Sequence, residues 1–346
     1  MNHSFNFDQE NLGELCQDRE LKTYEIFEPN DYYGQAAVLK GYLGLPKFYG
    51  LKAVLQHGLV FDDFVWDAEL NANLPVFFSP SLVRAKLFQS KTYKPCVPIG
   101  FGFLYAMKLF QKRFPELESL PLRSGTIAFP SHSTHHIKAN FNFEEYSEIL
   151  DRLPDKFKPV VVCIYWRDFL LNRHQEYLKR GFKVVSAGHI YDPLFSFRFY
   201  DICRQFKYAT SNDLGTHLFA SVKSGCSFFY AGVRPIQHDN PDGMPFVPND
   251  RAVLERTLQL FGSPQEAMNH EQINFVDLVL GTKHFRSRRE LWRLVIFSEI
   301  CDKVRWNFNV NRSFFPFFPS FFHPKRMVTK GLRRFAKFLL GWLRNR

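Results

Sequence analysis

The chain has 346 residues, 45% of them apolar, which is enough for sizeable cores. On a prior of roughly 100–200 residues per domain it holds two domains. Its net charge is +11, but eleven basic and no acidic residues follow Asp302, so the remainder is formally neutral. That placement excludes a nucleic-acid footprint spread over the whole protein, and no nucleic-acid partner is expected.

Six cysteines are scattered without a CxxC pair, and 40 phenylalanines must be absorbed by cores or an apolar surface. Buried, reduced thiols in a reducing compartment are the expectation. The polar N-terminus MNHSFNFDQENLGELCQDRE does not read as a signal peptide. No run of about 18 apolar residues predicts a transmembrane helix.

In chain order, LKAVLQHG (51–58), LPVFFSPS (74–81) and KPCVPIGFG (94–102) read as strands. GQAAVLKGYLG (34–44) and LVRAKLFQ (82–89) read as helices. A boundary is expected in FPELESLPLRSG (114–125), rich in proline and glycine. Beyond it TIAF (126–129) is a strand, and Asn142 with Glu145 opens a helix as a capping-box-like pair. The continuous apolar run VVVCIYW (160–166) fits a strand buried on both faces. DFLLNRHQEYLKRG (168–181) is an amphipathic helix stopped by Gly181, and KVVSA (183–187) is the next strand. FSFRFYDICRQF (195–206) is helical, KYATS (207–211) a strand, THLFASVKSG (216–225) a helix and CSFFYAG (226–232) a strand. Residues 248–305 are mainly helical, with a helix start at Ser263-Pro264-Gln265-Glu266. Strands alternating with helices predict βαβ units and parallel sheets. The expected layout is residues 1–120 as an acceptor-binding domain, 121–305 as a nucleotide-sugar domain and 306–346 as a tail.

Polar clusters fall at the strand ends, where open parallel sheets bind ligands. In YATSNDLGTHLF (208–219), Ser211, Asn212, Gly215 and Thr216 stand where a buried strand meets a helix. Two readings fit: an N-cap, or a cradle for phosphate on the helix N-terminus. In FPSHSTHHIK (129–138), His132, Ser133, His135 and His136 crowd one loop. The HxxHH pattern matches no standard zinc spacing, and donors for a phosphate, base or ribose are the alternative to a plain polar loop. In QHGLVFDDFVWDAE (56–69), His57, Asp62 and Asp63 are candidate proton acceptors for an attacking hydroxyl, or surface charges and caps. His189 in AGHIYDP (187–193) sits at a third strand end and joins the candidate donor-binding residues. HDNPDG (238–243) reads as a turn.

QHG with the following DD, FPSHS, and TSNDLGTHLFASVKSGCSFFYAG together resemble two-Rossmann-domain (GT-B) glycosyltransferases, particularly bacterial enzymes that build surface polysaccharides such as capsule and lipopolysaccharide. The resemblance covers roughly residues 50–300. It implies an α/β fold, two Rossmann-like domains facing a central cleft. It implies donor contacts from Ser211, Asn212, Gly215 and Thr216, with His132 and Ser133 lining the same pocket. His57, Asp62 or Asp63 would be the base. No EX7E pattern occurs in the stretch, and His-Pro falls only at 323–324. The absence of a DxD motif near the site agrees with a fold that needs no catalytic metal, and no cofactor is expected. The implied partners are a nucleotide-sugar donor and a glycan or lipid-linked glycan acceptor. A non-catalytic scaffold, a polyol-phosphate transferase and a sugar-nucleotide epimerase are the alternatives.

The tail KGLRRFAKFLLGWLRNR (330–346) places Leu332, Phe335, Leu339 and Trp342 on one helical face. Arg333, Arg334 and Lys337 supply the positive charge. That pattern reads as an interfacial anchor on an anionic membrane surface, or as a docking helix. The expected location is the cytoplasm, peripheral on the inner face of the plasma membrane.

Overall fold

A computed structural model describes residues 11–60, 64–115, 123–133, 138–232, 236–238 and 251–308. Asp62, Asp63, His135, His136, the 239–243 turn and the basic tail with Arg333, Arg334, Lys337 and Trp342 lie outside them. The chain is α/β and is built on two parallel sheets.

The chain begins with helix α1 (Leu12–Cys16), whose Cys16 is buried with Trp166 and Ile190 of the second unit, and the first unit follows with helix α2 (Gln35–Leu43). Strand β1 (Ala53–Leu55), helix α3 (Asp67–Asn71), strand β2 (Val76–Ser79), helix α4 (Leu82–Lys91) and strand β3 (Cys96–Pro98) follow. The strands pair in parallel in the order β1-β2-β3. Asn30 closes the β1 edge: its side chain donates to the Ala53 carbonyl at 2.9 Å and accepts from the Leu55 N–H at 2.8 Å. An edge satisfied by its own loop cannot template another chain. The run at 94–102, expected as one strand, is strand only to Pro98. Helix α5 (Gly102–Arg113) begins inside it.

The second unit runs β4 (Thr126–Phe129), β5 (Lys138–Asn140), α6 (Phe143–Asp151), β6 (Val160–Cys163), α7 (Trp166–Leu170), α8 (His174–Lys179), β7 (Lys183–Val185), α9 (Phe195–Cys203), β8 (Tyr208–Ser211), α10 (Thr216–Lys223) and β9 (Ser227–Tyr230). Its parallel sheet has the order β7-β6-β4-β8-β9, so chain direction across the sheet reverses between β4 and β8. Strands β4, β6 and β8 are buried along their length, as their apolar runs require. Asn142 caps α6 through the Glu145 N–H, as expected. The single helix expected over 168–181 is two. Asn172 adopts a left-handed φ of 58° between α7 and α8, a conformation asparagine tolerates better than most residues. A small antiparallel pair, β5 with β10 (Ile236–His238), has no counterpart in the sequence reading.

The chain closes with α11 (Arg251–Phe261), α12 (His270–Leu280) and α13 (Arg288–Phe308). The helix start expected at Ser263–Glu266 is instead a loop whose Gln265 carbonyl accepts from Ser227 Oγ at 2.7 Å. The capping box belongs to Asn269 and Gln272, six residues later than expected from Ser263. Gly281 ends α12 at φ +65°, and a Cβ there would lie 1.9 Å from the Pro80 carbonyl oxygen. Only glycine lets the chain turn so close to the first unit. Beyond it the Arg288 guanidinium and the Trp292 indole donate to the Leu43 carbonyl, at 2.8 and 3.0 Å. Tyr49 donates to Glu299, and Lys52 faces Asp302 at 3.6 Å. Helix α13 therefore crosses back onto the first unit. A common core joins both units, with α5 against α9 through Phe103 and Tyr200, ring centroids 6.2 Å apart. Each such buried aromatic contributes about 1.5–3 kcal/mol.

Candidate functional site

A cleft of about 400 Å³ lies between the carboxyl ends of the two sheets. The first unit contributes the loop after β1 (His57 to Val60, Phe64, Trp66), Glu69 on α3, and Phe101 and Phe103. The second unit contributes the loop after β4, the ends of β6 and β7, α9, and the turn from Asp213 into α10. Thr216 Oγ accepts from the Leu59 N–H at 3.2 Å, so the two loops touch across it.

The loops after β4 and β8 flank the reversal point of the second sheet and are locked to each other. Asn212 Oδ1 accepts from the Ser131 N–H at 2.8 Å, and Ser131 Oγ donates to Asp213 at 3.0 Å. Ser211 is fully buried, and its hydroxyl accepts from the Asp213 N–H at 3.0 Å. None of these side chains caps α10. Its N-cap is Gly215, whose backbone is extended (φ −154°), and no side chain bonds the first turn. Of the two readings of this turn, the plain cap is not what the polar residues do: they fix the loop, and leave the helix N-terminus facing the cleft.

A second lock sits behind His132. Ser133 is buried, its N–H donates to Asp168 Oδ2 at 3.0 Å, and its hydroxyl accepts from Arg173 at 2.8 Å. Arg173 pairs with Asp168 at 2.6 Å and lies over the Phe143 ring. Ser133 is thus a scaffold residue, whereas His132 lines the cleft, its ring 4.4 Å from that of Tyr165. Burial lowers the His132 pKa against the pull of Asp168 and Asp213, and burial brings His217 down to about 4. His189 does not line the cleft. It is fully buried with its ring 3.9 Å from Trp166, and its Nδ1 accepts from the Tyr191 N–H at 3.1 Å.

His57 does line the cleft, and it has a neighbour that the sequence reading passed over. Its Nδ1 lies 3.7 Å from Glu69 Oε1. Among the described residues, that nitrogen and both Glu69 oxygens have no partner in hydrogen-bond geometry. Burial pushes the imidazole down to about 4 and the carboxyl up to about 7, the latter partly offset by the Arg84 charge. A neutral imidazole beside a buried carboxyl can take a proton and have the resulting charge compensated. No local pattern in the sequence marks Glu69, because burial of that glutamate depends on packing.

The raised Glu69 pKa has a consequence for stability. Below about pH 4.5, its ordinary value, the group is protonated whether the chain is folded or not. As pH rises through about 7 the folded state must hold a buried charge, and stability is lost. Glu69→Gln should therefore match the native protein near pH 4.5 and exceed it near pH 8 by up to about 3 kcal/mol. Denaturant melts at both pH values check this. Equal stability at pH 8 would place the carboxyl in a far more polar setting.

No family model matches the sequence, and no curated protein is similar to it. Among solved structures, a co-structure of S. aureus MnaA with UDP is similar at 13% identity and a TM-score of 0.37, over 76% of this chain and 68% of that one.

Proposed function

We propose that the chain is a nucleotide-sugar-dependent glycosyltransferase that moves a sugar onto an acceptor hydroxyl. The observation that carries this reading is the placement of the β4 and β8 loops. They flank the point where the sheet order reverses, the position at which open α/β sheets bind ligands, and they face His57 across the cleft. The donor diphosphate sits at the N-terminus of α10, beside Gly215 and Thr216, with His132 at its side.

His57 accepts the proton of the acceptor hydroxyl, and Glu69 compensates the imidazolium. The acceptor oxygen bonds to the anomeric carbon as the bond from that carbon to the phosphate oxygen breaks. The nucleoside diphosphate leaves with the electron pair and is stabilised by the helix N-terminus.

A thermal-shift screen against UDP, GDP, CDP, CMP and dTDP tests the reading. At a ligand concentration about 100-fold above Kd, binding stabilises by about 2.7 kcal/mol. That corresponds to a rise of several degrees in Tm with one nucleotide class. The rise should shrink in Thr216→Val. No rise with any of the nucleotides would overturn the proposal.

A further inference from the structure

One wall of the cleft is mainly aromatic. Phe101 and Phe103 come from the first unit, Phe129, Phe195 and Phe199 from the second, and Tyr33 from the loop before α2. Their rings form linked contacts. Phe199 stacks on Phe129 at 5.1 Å and meets Phe103 at 5.8 Å, and Phe195 meets Tyr33 at 5.0 Å. Ile164, Ala187 and Ala220 line the cleft with them. Among the described residues no lysine or arginine lines the cleft; its carboxylates are Glu69 and Asp213.

This distribution separates two halves of a ligand. A diphosphate finds its positive partner at the α10 terminus and none among the phenylalanines. A nucleobase brings a polar edge whose donors and acceptors need partners when buried. Five phenylalanines offer none, and the polar groups packed against them are the Tyr33 hydroxyl and the His217 imidazole, the latter's ring 5.7 Å from that of Phe129. An alkyl or aryl group loses nothing there and gains by leaving water. A volume of about 400 Å³ is in the usual range of about 300–1,000 Å³ for sites that enclose a small molecule.

We propose that this wall is a subsite for an apolar, uncharged group that the acceptor carries next to its reacting hydroxyl. The acceptor is then an amphipathic hydroxyl compound, with its polar end at His57 and its apolar end between Phe103 and Phe199. This rests on the glycosyl-transfer reading for the word acceptor; the apolar subsite itself rests on the wall.

The test uses hexyl, octyl and decyl β-D-glucosides on the full chain, each below its micelle concentration, with titration calorimetry as the readout. Affinity should rise about threefold to fourfold per added methylene, so octyl should bind about tenfold more tightly than hexyl. Phe199→Asp, which puts a charge in the wall, should abolish the chain-length dependence. Leu214→Trp, which fills the cleft from a half-buried position, should do the same with no buried charge. The nucleotide selected by the thermal-shift screen should leave the glucoside affinities unchanged. Equal affinity for all three chain lengths would overturn the proposal. So would a dependence that survives both folded variants, or competitive displacement of octyl glucoside by nucleotide, which would assign the wall to the base. The nucleotide shift, measured on the same samples, reports separately on the donor site.

Discussion

Replacing His57 with alanine is expected to lower kcat for sugar transfer by about 10²–10⁴-fold while the KM for the donor stays within a few-fold. The asymmetry follows from position. His57 lies in the loop after β1 in the first unit, and the proposed nucleotide contacts lie on the β4 and β8 loops of the second. The imidazole is neutral above about pH 4, because burial disfavours its charged form. It is therefore unprotonated at neutral pH, and Glu69 at 3.7 Å, once ionised above about pH 7, favours the imidazolium and so makes the imidazole a stronger base. Its removal should leave the fold intact, since the side chain makes no hydrogen bond through Nδ1 and the backbone carbonyl keeps its bond from Gln35 at 2.7 Å. Steady-state kinetics with the nucleotide class found by thermal shift is the measurement. A loss below tenfold, with the donor KM unchanged, would remove His57 from the chemistry.

Asp168→Ala is expected to be the most destabilising single change near the site, at about 3–5 kcal/mol. Its carboxylate is buried, binds Arg173 at 2.6 Å and accepts from the Ser133 N–H at 3.0 Å. Without it a mostly buried guanidinium has lost its counter-charge, which is where the cost arises. The loop carrying His132 loses its anchor as well, so the nucleotide-dependent Tm rise should weaken. The double variant Asp168→Leu with Arg173→Met should recover much of the stability, because apolar side chains of similar volume remove both charges together. It should not restore the nucleotide response, because the Ser133 N–H stays unanchored. Thermal melts of the single and double variants, with and without nucleotide, separate the two effects. A double variant as unstable as Asp168→Ala would mean that packing, not the stranded charge, carries the loss.

The strands of the second sheet were legible because parallel strands buried on both faces are largely apolar; the run expected as one strand over 160–166 is strand only to Cys163, since IYW continues it without marking its end. From them the α/β class and a cleft at the strand ends followed. Elements that depend on distant partners were not legible. β5 and β10 are each three residues long and pair across about a hundred residues of chain. The start of α5 was hidden because Gly100 and Gly102 extend the apolar run of β3 without marking its end. The helix start at Ser263-Pro264 obeyed a local rule, but the fold uses the reciprocal Asn269–Gln272 pair instead. At the site, residue type identified the right loops but not the roles within them. Ser133, Ser211 and Asn212 look like ligand donors in sequence. In the fold the Ser133 and Ser211 hydroxyls and Asn212 Oδ1 accept from neighbouring backbone, Asn212 Nδ2 has no partner among the described residues, and His189 is enclosed against Trp166. Glu69 went unread because an acid on a short helix is ordinarily solvated, and only packing reveals that this one is 2% exposed.

The return of α13 to the first unit has a mechanical side. Among the described residues the polypeptide passes between the units three times: from α1, which packs on α7, to α2, then between α5 and β4, and again between α12 and α13. Three crossings and a shared core hold the two halves of the cleft at their separation more firmly than one linker would. The loops carrying His57 and Thr216 are thus presented to a ligand already in place, so little of its binding energy goes into assembling them.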